Sequence, residues 1–138
     1  MTQLVTFTLG PHTFGVDVGD VQEVLRGQAR TRVPLAPKTL AGLINLRGQV
    51  LTAIELREVF QLPDRENADD AMMVLIRVDG EPIALLVDTI GAVVTVHQEQ
   101  FEPPPDTLSG QVRGLIRGAY KLDGELLLSM DIEQAVAA

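Results

Sequence analysis

Few of the 138 residues have the type and spacing that reactive chemistry requires. The two histidines, His12 and His97, lie far apart and form no local pair with metal-ligand spacing. Cysteine is absent, which excludes disulfides, thiolate metal sites and thiol nucleophiles together. Ser109 and Ser129 lack the Gly-x-Ser-x-Gly elbow that exposes a nucleophilic hydroxyl. No glycine-rich loop opens a helix to cradle a phosphate. The expectation is a chain with no catalytic residue, no metal and no cofactor.

One segment supports an alternative. Asp88-Thr89-Ile90-Gly91-Ala92 resembles the Asp-Thr-Gly-Ala turn of small dimeric aspartic proteases, in which two carboxylates share one proton. Ile90 intervenes where the glycine would have to follow the threonine directly. The simpler reading makes Asp88 the polar end of a buried strand.

The elements that would carry any site are short and mostly extended. Val5, Phe7 and Leu9 alternate with Thr6 and Thr8, the period of a half-buried strand. Gly10-Pro11 breaks that strand, and Phe14, Val16 and Val18 resume the alternation as a hairpin partner. Val18, Val21 and Leu25 have helical spacing and predict one short helical turn around Asp20 and Glu23. Pro34 and Pro37 impose an extended loop. The apolar runs 43–46 and 50–54 flank Arg47-Gly48-Gln49, so they predict a hairpin with Arg47 at or near its tip. Leu56, Val59 and Phe60 predict a further helical turn, and 64–70 a solvated loop. The runs 72–78 and 83–90 are nearly continuously apolar, as suits a strand pair buried on both faces. Strand continues over 92–96, and Pro103-Pro104-Pro105 forms a stiff connector. A last hairpin pairs 114–120 with 125–130, and Asp131 caps a terminal helical turn over 132–136. Nine or ten short strands with regular turns predict a sandwich or a pair of small barrels.

Composition narrows the partners. The net charge of −8 argues against nucleic acid, because only Arg26 to Arg32, with three arginines, is locally basic. The first residues show no secretory signal, and no apolar run is long enough to span a bilayer, so a cytoplasmic protein without membrane insertion is expected. Aromatics make up 4% of the chain and tryptophan is absent, so the core must be aliphatic and an aromatic peptide-binding groove would be hard to build.

The most specific constellation is Gly42-Leu43-Ile44-Asn45-Leu46-Arg47-Gly48-Gln49-Val50, followed by Ile54-Glu55-Leu56-Arg57. In this order and spacing it resembles the CheW-like family of chemotaxis coupling proteins. Val21-Gln22-Glu23-Val24 and Thr31-Arg32-Val33-Pro34 upstream agree with it, as do Gly80 to Asp88 and Phe101-Glu102-Pro103-Pro104-Pro105 downstream. The resemblance implies an all-β fold of two five-stranded SH3-like barrels packed together. One barrel would hold residues 1–29 and 101–138, the other residues 30–100. It further implies an adaptor between the cytoplasmic tip of a chemoreceptor and the regulatory domain of a CheA-type histidine kinase. Carried over by position, receptor contacts would fall on Val21, Glu23, Leu43, Arg47, Gly48 and Val87. Kinase contacts would fall on Val33 and Val50. Two departures stand out: Leu51-Thr52-Ala53 replaces a usual Val-Pro, and Glu55 replaces a usual aspartate.

Overall fold

A computed structural model describes residues 1–67, 70–108 and 110–137. Part of the expected 64–70 loop and Ser109 therefore lie outside the described residues. The strands are β1 (Thr2–Leu9), β2 (His12–Asp17), β3 (Val21–Arg26), β4 (Leu40–Leu46), β5 (Gln49–Glu55), β6 (Met72–Val78), β7 (Glu81–Val87), β8 (Thr89–Val96), β9 (Phe101–Glu102), β10 (Ile116–Leu122) and β11 (Glu125–Met130). The described helical elements are short: α1 (Leu56–Val59), α2 (Gly110–Gly114), α3 (Ile132–Ala137) and single 3-10 turns at Val18–Asp20 and Gln98–Gln100.

The strands form two sheets, in the orders β8-β1-β2-β11-β10-β9 and β3-β6-β7-β5-β4. The all-β expectation holds, with β9 giving the first sheet a sixth strand two residues long. The chain crosses between the two sheets at the Val18–Asp20 turn and at Asp88. The cause is pairing. β3 is bonded to β6, whereas β8 is bonded along β1 from Thr89 to Val96.

Strand alternation then builds three apolar clusters. Val74 and Ile76 of β6 and Leu85 and Val87 of β7 meet Val5, Phe7, Leu9, Phe14 and Val16 in a core between the sheets. Their neighbours Met73, Leu75, Ala84 and Leu86 join Ile44, Leu51 and Ala53 in the interior of the second barrel. Both faces of the β6–β7 hairpin are thus buried, which is why those runs carry almost no polar residue. A smaller cluster of Leu4, Val96 and Leu127, with Tyr120 against it, fills the first barrel.

Two expected elements differ. The expected helical turn is present only over Val18–Asp20; residues 21–26 are strand, with a bulge between Val21, which packs on the core between the sheets, and Glu23 and Leu25, which pair opposite Leu75 and Met73 of the second barrel's interior. Residues 110–114 form α2, so the strand expected from Gly114 begins at Ile116. The expected cap is present, since the Gln134 N–H donates to Asp131 Oδ1 at 3.2 Å.

The second sheet curls until its edge strands, β3 and β4, are joined through the loop between them. Thr31 and Leu43 exchange two backbone hydrogen bonds of 2.8 Å. This bridge demands glycine at position 42. A Cβ there would stand 2.6 Å from Thr31 O, and φ is +145°.

Candidate functional site

The Asn-Leu-Arg-Gly segment forms the tip of the β4–β5 hairpin. Arg47 and Gly48 have φ of 51° and 84°, the mirror-image two-residue turn whose twist matches the flanking strands. Asn45 Oδ1 accepts from the Gly48 N–H at 3.1 Å and holds the turn shut. The Arg47 side chain is thereby presented to solvent, 66% exposed. It is not alone there. Its Nη2 donates to Glu23 Oε2 at 2.5 Å, and this hydrogen bond, followed by the carboxylate's charge, raises the guanidinium pKa. Glu23 occupies an inward-facing position of β3, where an apolar residue would ordinarily stand. The pair ties the free edge strand of the second sheet to the hairpin at its opposite edge.

The other expected receptor residues divide. Val21 and Leu43 are half-buried, with Val21 packed against the core between the sheets. Gly48 is exposed and a Cβ there would meet nothing within 4 Å, so its requirement is the positive φ of the turn. Val87 is 0% exposed within the core between the sheets, and its side chain presents nothing to a partner. Its burial follows from β7 being the strand sandwiched between both clusters. Of the expected kinase residues, Val50 is 63% exposed beside the hairpin tip, and Val33 is exposed on the β3–β4 loop.

Sequence reasoning missed two exposed apolar residues on edge strands, Val24 of β3 and Val93 of β8. Val24 pairs opposite Val74 of β6, and its exposure follows from the position of β3 at the edge of the sheet. Sequence reasoning also missed an ionic cluster at the second crossing between sheets. Asp88 accepts from Arg57 Nε and Nη2 at 2.8 and 2.6 Å, and from Arg65 Nε and Nη2 at 3.3 and 3.2 Å. The Gly10 N–H, in the β1–β2 turn, donates to the same carboxylate at 2.7 Å. Arg65 also donates to Glu55 at 2.5 Å, and Glu55 accepts from the Arg57 N–H to cap α1. The glutamate that replaces the usual aspartate thus serves as cap and counterion at once.

This cluster disposes of the protease alternative. Burial alone would raise the Asp88 pKa. The hydrogen bonds from Arg57 and Gly10 and the charges of both arginines outweigh it, and the pKa falls to about 2. Both carboxylate oxygens are already engaged by arginine and backbone donors, which leaves neither facing a second carboxylate with which to share a proton. Gly91 lies within β8, not in a catalytic turn. A Cβ there would stand 2.6 Å from the Thr6 hydroxyl, which donates to Ala92 O across a bulge in the β1–β8 pairing. Among the described residues no group of three or more His, Asp or Glu could hold a metal, and no helix is long and apolar enough to cross a membrane.

Comparison with known proteins agrees with this geometry. The family model described as the CheW-like domain matches residues 3–138. Chemotaxis protein CheW of Treponema pallidum is 30% identical over 136 residues, covering 96% of this chain and 80% of that protein. Its namesake in Bacillus subtilis is 28% identical, covering 94% and 83%. Among solved structures, that of scaffolding protein TtCheW from Thermoanaerobacter tengcongensis superposes with a TM-score of 0.84 at 27% identity, covering 94% of this chain and 88% of that one.

Proposed function

This chain belongs to the CheW-like family and is a chemotaxis adaptor; from that premise we propose that it joins a chemoreceptor tip to a CheA-type kinase through two separate surfaces of its second barrel. The first is the β3 edge with the β4–β5 tip, where Val21, Glu23, Leu43 and Arg47 meet the receptor and Gly48 sets the turn. The second takes in Val33 and Val50 and meets the kinase regulatory domain. No step of this function is catalytic.

The observation that carries the receptor surface is the Arg47–Glu23 pair. A guanidinium held rigidly on a two-residue turn, with one edge occupied by Glu23, has further donors free for an acidic or amide group on a partner. Half-buried Val21 and Leu43 supply apolar surface beside it. Both kinase-side valines are exposed with no packing role in the barrel cores, which favours their use between molecules.

A paired titration tests both surfaces. Arg47→Glu should weaken binding to a receptor tip fragment by about thirtyfold or more, because it removes a charge-assisted contact and leaves the partner group unpaired. Affinity for the kinase regulatory domain should be unchanged. Val50→Asp should give the converse pattern. Equal receptor affinity for wild type and Arg47→Glu would remove Arg47 from the contact surface. Loss of both partners together with a lowered melting temperature would make it a structural residue.

A further inference from the structure

A cleft of about 1030 Å³ separates the loop between β3 and β4 from α1 and the segment that follows it. The loop wall presents Arg30, Arg32 and Lys38, and the opposite wall presents Glu58, Asp64 and Glu66. None of these six side chains belongs to an ion pair among the described residues. The other two charges of the cleft, Glu55 and Arg65, are bound to each other, and Arg65 also to Asp88. Three cations thus face three acids across open solvent without neutralising them.

The acidic wall registers the missing partner. The Glu58 carboxyl hydrogen-bonds to that of Asp64, and this bond, then burial and the charges of Asp64 and Glu55, raise its pKa. Lys38 is the cation that opposes the rise. Two acids lean on each other beside an ammonium group that would neutralise them at closer range.

The loop is hung so that its middle can move. At one end Thr31 exchanges two backbone hydrogen bonds with Leu43, and at the other Thr39 O accepts from the Glu55 N–H at 2.8 Å. Between those anchors, among the described residues, backbone hydrogen bonds stay within local turns, from Ala36 to Val33 at 3.3 Å and from Leu40 to Pro37 at 3.0 Å. Pro34 and Pro37 fix their own φ angles, so the stretch moves as a stiff unit instead of uncoiling. Its apolar residues Val33 and Leu35 both line the cleft and are exposed, so no packing holds them where they stand.

We propose that residues 32–38 form a strap that closes over this cleft, setting Arg32 and Lys38 against Glu58 and Asp64 and turning Val33 and Leu35 away from solvent. The arrangement described above is its open state. Attraction between the two walls drives closure, while side-chain ordering and screening by salt oppose it, so ionic strength sets the balance. Where Val33 serves as a contact between molecules, the closed strap withholds it. That consequence alone rests on the adaptor reading; the closure itself needs no partner.

The test follows the strap in the full chain with no partner present. The chain lacks cysteine, so spin labels at Leu35→Cys and Pro63→Cys mark the strap and the acidic wall alone, and neither replacement removes a charge. In low salt, dipolar distance measurement between the labels should resolve a short distance beside the open one. That component should fall by about half or more between about 0.01 and about 1 M salt, as the screening length shrinks from about 30 to about 3 Å. Adding Arg32→Glu and Lys38→Glu should abolish it, and adding Glu58→Lys and Asp64→Lys as well should bring it back. Thermal melts show which of these proteins are folded, and the salt titration of the labelled protein decides the matter where a charge variant is not. A single distance that salt does not move would overturn the proposal. So would a short component that survives the first reversal, or one that fails to return in the folded fourfold exchange.

Discussion

Replacing Asp88 by asparagine tests whether the ionic cluster holds the two barrels together. The carboxylate reaches Arg57 and Arg65 of the second barrel and also the β1–β2 turn of the first. Its pKa falls from 3.8 to about 2 on folding, and at about 1.36 kcal/mol per unit the ceiling on its contribution is about 2.5 kcal/mol. The side chain is 19% exposed, so solvent screening brings the expected value to about 2 kcal/mol. For a chain of this size that corresponds to a melting temperature lower by about 6 °C at pH 7. The pH dependence carries the sharper signature. A group whose folded pKa is depressed stabilises fully above its unfolded pKa and loses that contribution as pH falls through the folded value. The gap between wild type and Asp88→Asn should therefore be constant above about pH 5 and shrink between pH 3.8 and about 2. Arg57→Met should cost more than Arg65→Met, since the Arg57 bonds of 2.8 and 2.6 Å are shorter than those of Arg65 at 3.3 and 3.2 Å. Thermal melts of the four proteins across pH 2–8 measure all of this. A variant within 1 °C of wild type at pH 7, or a gap that does not change on acidification, would refute the reasoning.

Two further substitutions test how the barrels are closed. Gly42→Ala should disrupt the Thr31–Leu43 bridge, because the new Cβ meets Thr31 O at 2.6 Å in a backbone that disfavours any side chain; a loss of about 2 kcal/mol or more in urea unfolding is expected, and an unchanged midpoint would show that the seam does not depend on this bridge. Thr6→Val should cost about 1–2 kcal/mol, since it removes the donor to Ala92 O at 2.6 Å while keeping the side-chain shape; faster amide exchange confined to β1 and β8 is the local readout, and uniform protection would show that the bulge is held by backbone bonds alone.

The fold class was legible because period-2 patterning and turn chemistry are local. Val5, Phe7 and Leu9, the continuous apolar runs of β6 and β7, and the Arg47-Gly48 and Asp79-Gly80 turns all form where their residues require. β3 was misread for a physical reason. A bulge turns Val21 toward the core between the sheets while Glu23 and Leu25 face the interior of the second barrel, so the bulge and the acid together break the alternation that identifies a strand. The apolar spacing that remained looked helical. What makes Glu23 tolerable there is Arg47, 24 residues away, and nothing local to either residue predicts their meeting.

The sequence by itself determined the family and the presented arginine, through a short-range motif in fixed order, and the all-β class, through period-2 patterning and turn chemistry along the chain. Tertiary structure decided the rest. It assigned β8 to the first sheet and β3 to the second, since partner choice depends on which edges the fold leaves open. It removed Val87 from the surface, because alternation states that two faces differ but not which lies between two sheets. It also gathered Asp88, Arg57, Arg65, Glu55 and Gly10 into one cluster at the second crossing between sheets. Charges so far apart in the chain find one another only when burial brings them close enough for unpaired ionisation to be costly.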